Sequence, residues 1–272
     1  MNWQRVATVA RTDLKQLIRA KDFWVPMAAL GSLFFVVLPT ILLGTLTGIG
    51  DVETIGRLAD TLEALPASAQ NQIRGTTPEG RSAYALAVFL VAPVAVIVPL
   101  TISTAVGAAT IVGERERGTG EFLAHSPAAT REIYLGKLIA SIIPGYLTVV
   151  VGFTFYSLLV NVTVGPEVGG WFFPTPQWWV MIVWVLPPFL AICLSLVLRL
   201  SARVNSTAAA QQAAGLVSLP LIMVAYSQAT GVLFGAGWLP LYLGAGAWVL
   251  ALVSLARGFR SLSRSRLLGV AA

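Results

Sequence analysis

The chain is 272 residues long, 56% hydrophobic and 11% charged, with a mean hydropathy of +0.79, against roughly a quarter charged in an average soluble domain. So few charges cannot cover even one water-soluble globule, which makes this an integral membrane protein. One cysteine, Cys193, excludes an internal disulfide framework, one histidine, His125, leaves no zinc or haem cluster, and the net charge of +6 bears on topology and not on nucleic acid.

Residues 1–22 form a charged leader in which Trp3, Val6, Ala10, Leu14, Leu17 and Ile18 recur at three- and four-residue steps among Arg5, Thr8, Arg11, Asp13 and Lys15. The spacing predicts an amphipathic helix in the membrane interface that holds the first span against its neighbours. A removable signal peptide is not expected, because the apolar stretch starts late and is too long for one. A helix needs about 20 apolar residues to cross the hydrocarbon core. Charge-free gaps therefore mark one span each at residues 23–50, 82–113, 138–166 and 168–198. The gap at 204–256 is far too long for one crossing at about 1.5 Å per residue, and it divides naturally at the Gly/Pro-rich run Gly231 to Pro240. Six spans follow.

Between the first two spans, residues 51–81 form the only sizeable outer loop, with Ile55, Leu58, Leu62 and Leu65 at helical spacing before Pro66. A short surface helix is expected there. At the outer start of the fourth span, Trp171 to Trp179 concentrates aromatic rings, which reads as an interfacial belt; a platform for sugars or flat drugs is the alternative. Six spans put both termini on one side. That side carries Arg5, Arg11, Lys15, Arg19 and Lys21 in the leader, Arg115, Arg117, Arg131 and Lys137 after span two, Arg199 and Arg203 after span four, and Arg257, Arg260, Arg264 and Arg266 in the tail. The opposite side holds only Arg57, Arg74 and Arg81. The basic side is cytoplasmic.

No ionisable group falls inside a span, so a proton relay has no obvious member. Thr45, Thr101, Ser103, Thr104, Thr148, Thr154, Asn161, Ser195, Ser218 and Gln228 could still coordinate an ion. Nowhere does a nucleophile meet a base, which argues against an enzyme. Pro39, Pro93, Pro99, Pro144, Pro187, Pro188 and Pro220 predict kinked spans. The pairs Gly44/Gly48 and Gly231/Gly235 would permit close helix contact.

The loop from Gly113 to Lys137 carries eight charged residues. Its pattern predicts two short helices, one through Glu121, Phe122, Leu123 and Ala124 and interrupted by Pro127, the other beginning after Thr130 as N-cap with Glu132 in its first turn. Phe122 and Leu123 then offer apolar groups on a charged knob shaped to dock a partner. The run Gly113-Glu114-Arg115-Glu116, then Gly118-Thr119, Glu121, Leu123, Pro127 and a terminal Gly136-Lys137, closely resembles the loop signature of ABC type-2 permeases, the membrane subunits of one class of ATP-driven exporters. The leader Arg11-Thr12-Asp13-Leu14 to Arg19, and Ala209-Ala210-Gln211-Gln212 opening span five, support the likeness, which covers nearly the whole chain. In length and style it is similar to the sodium-efflux and nitrous-oxide-reductase-maturation permeases, the NatB and NosY types. One departure is Ala124-His125, where the family usually has a leucine and a variable residue.

The resemblance implies an all-α integral membrane fold of the type V ABC exporter kind. It would form a single transmembrane domain over 1–272, with six transmembrane helices, an N-terminal amphipathic interfacial helix and a cytoplasmic coupling helix in 113–137. It implies that Glu114, Glu116, Gly118, Thr119, Glu121, Phe122, Leu123, Pro127, Gly136 and Lys137 couple the chain to a separate ATP-binding cassette subunit. It further implies that two permease copies pair, as a homodimer, in a prokaryotic inner membrane. The chain has no G-x-x-x-x-G-K-[ST] phosphate loop, so ATP and Mg would be bound by the partner, with no cofactor in this chain. The cargo is expected to be lipid-like or drug-like, or an ion. The rival reading is an ATP-independent channel or scaffold whose basic face binds anionic lipid or a regulatory protein.

Overall fold

A computed structural model describes residues 1–48, 65–90, 94–116, 125–202, 204, 207–229 and 237–261. Every regular element among them is helical. Helix α1 (Trp3–Arg19) starts where the Asn2 side chain accepts the Gln4 N–H at 3.0 Å, and stops where Ala20 turns to extended backbone. Helix α2 joins Lys21–Ser32, a π-helical turn Leu33–Val37 and Leu38–Gly48. Helix α3 joins Pro78–Ala85 and a π-helical turn Leu86–Leu90, and begins at Thr77, whose hydroxyl accepts the Gly80 N–H. Then come α4 (Val94–Glu116) and α5 (Thr130–Thr163). Helix α6 runs from Pro176–Trp179 through a π-helical turn Val180–Val185 to Leu186–Ser201, and α7 (Thr207–Ala229) and α8 (Leu239–Ser261) follow, with single helical turns also at Ala67–Gln70 and Gly165–Val168.

Among the described residues, five helical stretches are long and apolar enough to cross a membrane: Trp24–Thr45, Thr130–Thr163, Pro176–Ser201, Ala208–Ser227 and Leu239–Phe259. The expected second span is described on either side of residues 91–93, as α3 and α4, with Ile97–Val112 an apolar helical stretch within it. The long gap at 204–256 resolves into two helices, α7 and α8, as its length requires. The expected helix at 51–65 lies outside the described residues, apart from Leu65.

Proline acts on these helices in a specific way. Two of the π-helical turns end two residues before a proline, Pro39 and Pro187. Pro39 cannot donate to the Phe35 carbonyl, nor Pro187 to that of Val183, and both carbonyls lie inside the widened turn. Pro99, Pro144 and Pro220 sit inside helices that keep α-helical pitch.

Helix α6 is an inner helix, with 61% of its apolar window buried, against 22% for the first span and 24% and 28% for those in α7 and α8. It packs on α4, α5, α7 and α8, while α4 also packs on α5 and α7. In a membrane this packing gains from close fit, not from escape from water, so small residues mark the contacts. At Gly145 of α5 an added Cβ would strike Ser103 Oγ and come within 2.5 Å of the Pro99 carbonyl oxygen of α4. At Gly152 it would strike the Phe35 ring of α2. Gly44, by contrast, meets nothing within 4 Å among the described residues. Between α2 and α5 an apolar groove of about 300 Å³ is lined by Met27, Gly31, Phe35, Leu147, Val151 and Phe155.

The aromatic run before α6 divides in two. Trp171 and Trp179 are exposed and fit an interfacial belt, but Phe173 and Trp178 are fully buried against Phe153 and, for Phe173, Tyr156. Asn161 fastens this segment to α5. Its Oδ1 accepts the N–H groups of Phe172 (2.8 Å) and Phe173 (3.0 Å), and its Nδ2 donates to the Phe173 carbonyl at 2.5 Å. Asn161→Leu keeps the volume and leaves the Phe172 and Phe173 N–H groups without their acceptor, while the Phe173 carbonyl keeps the Ser157 hydroxyl at 3.2 Å, so a loss of about 1–2 kcal/mol is expected. Faster protease cleavage between Gly169 and Thr175 in the purified variant checks it; unchanged cleavage and melting would show that the segment is held by its rings alone.

Most of the span hydroxyls that could have coordinated an ion are engaged with carbonyls. Thr45, Thr101, Thr104, Thr148, Thr154 and Ser218 each donate to a carbonyl three or four residues earlier in their own helix, and Ser195 donates to the Ser254 carbonyl of α8. Ser103 Oγ is the buried exception, with no hydrogen-bond partner among the described residues.

Candidate functional site

The signature loop and the two helices it joins are described in part. Glu114 and Glu116 lie in the last turns of α4, while Gly118, Thr119, Glu121, Phe122 and Leu123 fall outside the described residues, as does the expected short helix through Glu121. From His125 onward the chain is described. Pro127 is exposed, and α5 begins at Thr130.

The expected second short helix is instead the start of the 34-residue α5, which runs on into the span without a break. Its N-cap is Ala129, not Thr130. An alanine side chain cannot accept a hydrogen bond, so only half of a capping box forms: Glu132 Oε2 accepts the Ala129 N–H at 2.9 Å. The other carboxylate oxygen accepts the Asn2 N–H at 2.6 Å. One carboxylate thus closes the N-terminal ends of both α1 and α5, where the two helix dipoles favour negative charge. Arg5 completes this corner, donating from Nη1 to the Pro127 carbonyl at 2.7 Å and standing 3.8 Å from Glu132 Oε2.

Helix α1 lies along the first turns of α5. Its buried face is Val6, Val9, Ala10 and Asp13, whereas Trp3 and Ile18, expected on the same apolar face, are exposed. Gly136 makes the approach close: a Cβ there would sit 2.6 Å from Val9 Cβ and 3.1 Å from the Val6 carbonyl oxygen.

The next residue of α5 is Lys137, which the charge-gap reading placed in the loop. The structure corrects this, because the helix starts seven residues earlier and carries Lys137 inside, fully buried. Its Nζ donates to the Thr110 carbonyl of α4 at 2.7 Å and stands 3.6 Å from Asp13 Oδ2 of α1. A single ammonium therefore ties three helices, satisfying the rule that a buried charge needs a partner. Between these two anchors, Tyr134 donates to Ser195 Oγ of α6 at 2.8 Å. Ser195 and Ser254 of α8 hydrogen-bond to each other, and Arg199 Nη2 donates to Ser254 Oγ at 3.0 Å. Glu132, Tyr134 and Lys137 thus join α5 to α1, α4, α6 and α8 immediately after the loop.

Of the sequence-predicted residues, Pro127, Gly136 and Lys137 come together in this corner. Gly136 and Lys137 do so as buried packing and charge, not as a surface. Asp13, Thr110, Glu132, Tyr134, Ser195, Arg199 and Ser254 were not singled out for it. Asp13 had a signal: it falls seven residues after Val6 and three after Ala10, in phase with a stripe that must be buried, so it required a buried cation.

Among the described residues no group of three metal-ligating side chains comes together. No curated protein matches the chain. A family model described as ABC-2 family transporter protein matches residues 7–235, from the second turn of α1 past the end of α7. The chain belongs to the ABC-2 family of transporter membrane proteins, as a permease domain.

Proposed function

We propose that the chain is the membrane-spanning subunit of an ATP-driven exporter. It acts as a single transmembrane domain over 1–272, with six spans and both termini in the cytoplasm. The second span comprises α3 and α4. A separate ATP-binding cassette subunit receives the 113–137 loop, two permease copies pair as a homodimer in a prokaryotic inner membrane, and cargo moves between their facing spans. Glu114, Glu116, Gly118, Thr119, Glu121, Phe122, Leu123 and Pro127 form the docking side of the loop. Gly136 and Lys137 act behind it, by positioning.

The observation that carries this reading is the corner built by Glu132, Tyr134 and Lys137. A push on the loop reaches α5 first, and from α5 the ties to α1, α4, α6 and α8 pass it on. Packed elements tied at one end move as a body instead of bending locally. The apolar groove between α2 and α5 favours a lipid-like or drug-like cargo over an ion.

The test purifies the tagged permease in mild detergent from cells that express it, where an ATP-binding cassette subunit is expected to come with it. Glu116→Ala or Phe122→Asp is expected to release the ATPase on purification, or to leave its hydrolysis unresponsive to the permease. Unchanged assembly and turnover in both variants would refute the coupling assignment. A lone oligomer that conducts ions in a planar bilayer would support the ATP-independent channel instead.

A further inference from the structure

Helix α1 has three faces. One, Val6, Val9, Ala10 and Asp13, is turned against the protein. The second is an apolar stripe of Trp3, Ala7, Leu14 and Ile18, one and two turns apart, with Trp3 63% and Ile18 71% exposed. The third is polar and carries Arg11, Lys15 and Arg19, all exposed. A two-faced helix would need only the first and third. The stripe is spare apolar surface, and it leads by way of Ala20 to exposed Trp24 and Val25 at the start of the first span.

The basic row has its own anomaly. Arg11, Lys15 and Arg19 stand four residues apart, a spacing that sets like charges side by side and weakens the helix. The only acid in α1, Asp13, is turned inward, and among the described residues no carboxylate lies in ion-pair range of the three. Among the described residues nothing supplies the compensating negative charge, and an anion outside the chain would supply it. It would lie beside the apolar stripe, because Arg11 and Lys15 flank Ile18 and Leu14 on the helix surface.

We propose that this surface of α1 binds the headgroups of anionic phospholipids, with Trp3, Leu14 and Ile18 in the acyl boundary and Arg11, Lys15 and Arg19 on the phosphates. Such a surface combines the two signals that interfacial helices use, buried apolar area and attraction to anionic lipid. The stripe distinguishes lipid from an acidic protein face, which would meet the basic row from the aqueous side and leave Trp3 and Ile18 uncovered. Because the opposite face of α1 is bound through Asp13 and Lys137 to α4 and α5, the lipid sets the position of the corner described above. The assignment holds whether or not the chain exports, since it needs only a membrane-embedded protein.

The experiment uses the full-length protein purified in detergent, with thermal unfolding followed while phosphatidylglycerol or phosphatidylcholine is titrated into the micelles. Wild type is expected to be stabilised at a much lower mole fraction of phosphatidylglycerol than of phosphatidylcholine. In Arg11→Gln/Lys15→Gln/Arg19→Gln the phosphatidylglycerol midpoint rises, by roughly fivefold for each charge removed, and the phosphatidylcholine curve stays put. The pair Arg74→Gln/Arg81→Gln, two exposed cations at the other end of the molecule, leaves both curves in place. The proposal is overturned if wild type shows no preference for the anionic lipid, if the triple variant keeps it, or if the control pair abolishes it equally. It is also overturned if the triple variant keeps its lipid preference but fails to retain an ATP-binding subunit, which would place the row against protein.

Discussion

Lys137→Met should destabilise the protein by about 3–5 kcal/mol, the cost of removing one member of a buried ion pair. The lysine side chain is fully buried, with its Nζ 2.7 Å from the Thr110 carbonyl oxygen and 3.6 Å from Asp13 Oδ2. Methionine fills nearly the same volume, so the loss is electrostatic: the Asp13 carboxylate faces a thioether and the Thr110 carbonyl loses its donor. The penalty is therefore expected to be largely conditional on Asp13. Asp13→Leu/Lys137→Met, which removes both charges, should melt in detergent well above Lys137→Met alone, with a coupling energy of at least about 2 kcal/mol in the double-mutant cycle. Additive losses would mean that the two side chains act independently and that Lys137 holds α4 only. If the doubly neutral protein is stable but no longer stimulates ATP hydrolysis in the complex, the pair is retained for coupling and not for stability.

That pair also shows why a charge-gap reading locates spans well and sites poorly. The bilayer imposes one dominant variable, the length of apolar sequence, and Trp24–Thr45, Pro176–Ser201, Ala208–Ser227 and Leu239–Phe259 follow from it directly. The same logic ends a span at each charged residue. It failed at Lys137, because the helix that carries it begins at Thr130 under a cap supplied by Glu132, and its charge is answered by Asp13, 124 positions earlier in the sequence. Local pattern cannot reveal a partner that distant. Helix α1 was legible as an amphipathic helix, but its periodicity could not say which of two adjacent apolar stripes meets protein. Trp3 and Ile18 share that periodicity with Val6 and Ala10, yet face outward. Asn161 looked like an ion ligand because a membrane span seemed to offer it nothing else; the backbone of Phe172 and Phe173 folds back onto it. The prolines promised kinks, and two of them appear with π-helical turns, a form set by the unbonded carbonyl of each turn and invisible in composition.

Gly136→Ala, a change that favours a helix by propensity, should instead cost about 3 kcal/mol, the upper end of the penalty for overpacking. The new methyl group would lie 2.6 Å from Val9 Cβ and 3.1 Å from the Val6 carbonyl oxygen. Neither atom can be moved by changing a rotamer, since one is backbone and the other is fixed to it. Carbon atoms rest at about 3.5–4.0 Å, so α1 itself must retreat from α5 by roughly 1 Å. That shift acts directly on the Asp13–Lys137 pair, already at 3.6 Å, and on the Asn2 N–H held by Glu132. Gly136→Ala should therefore lower the melting temperature and loosen α1, which accelerated amide exchange at Val6 to Asp13 would register. Gly215→Ala, where nothing among the described residues lies within 4 Å, should be neutral or slightly stabilising. The decisive comparison is in a Val9→Gly background, where the Cβ contact has been removed. There Gly136→Ala should cost less than half as much as in wild type, because only the 3.1 Å approach to Val6 remains. A full penalty in that background would mean that α1 is not what Gly136 makes room for.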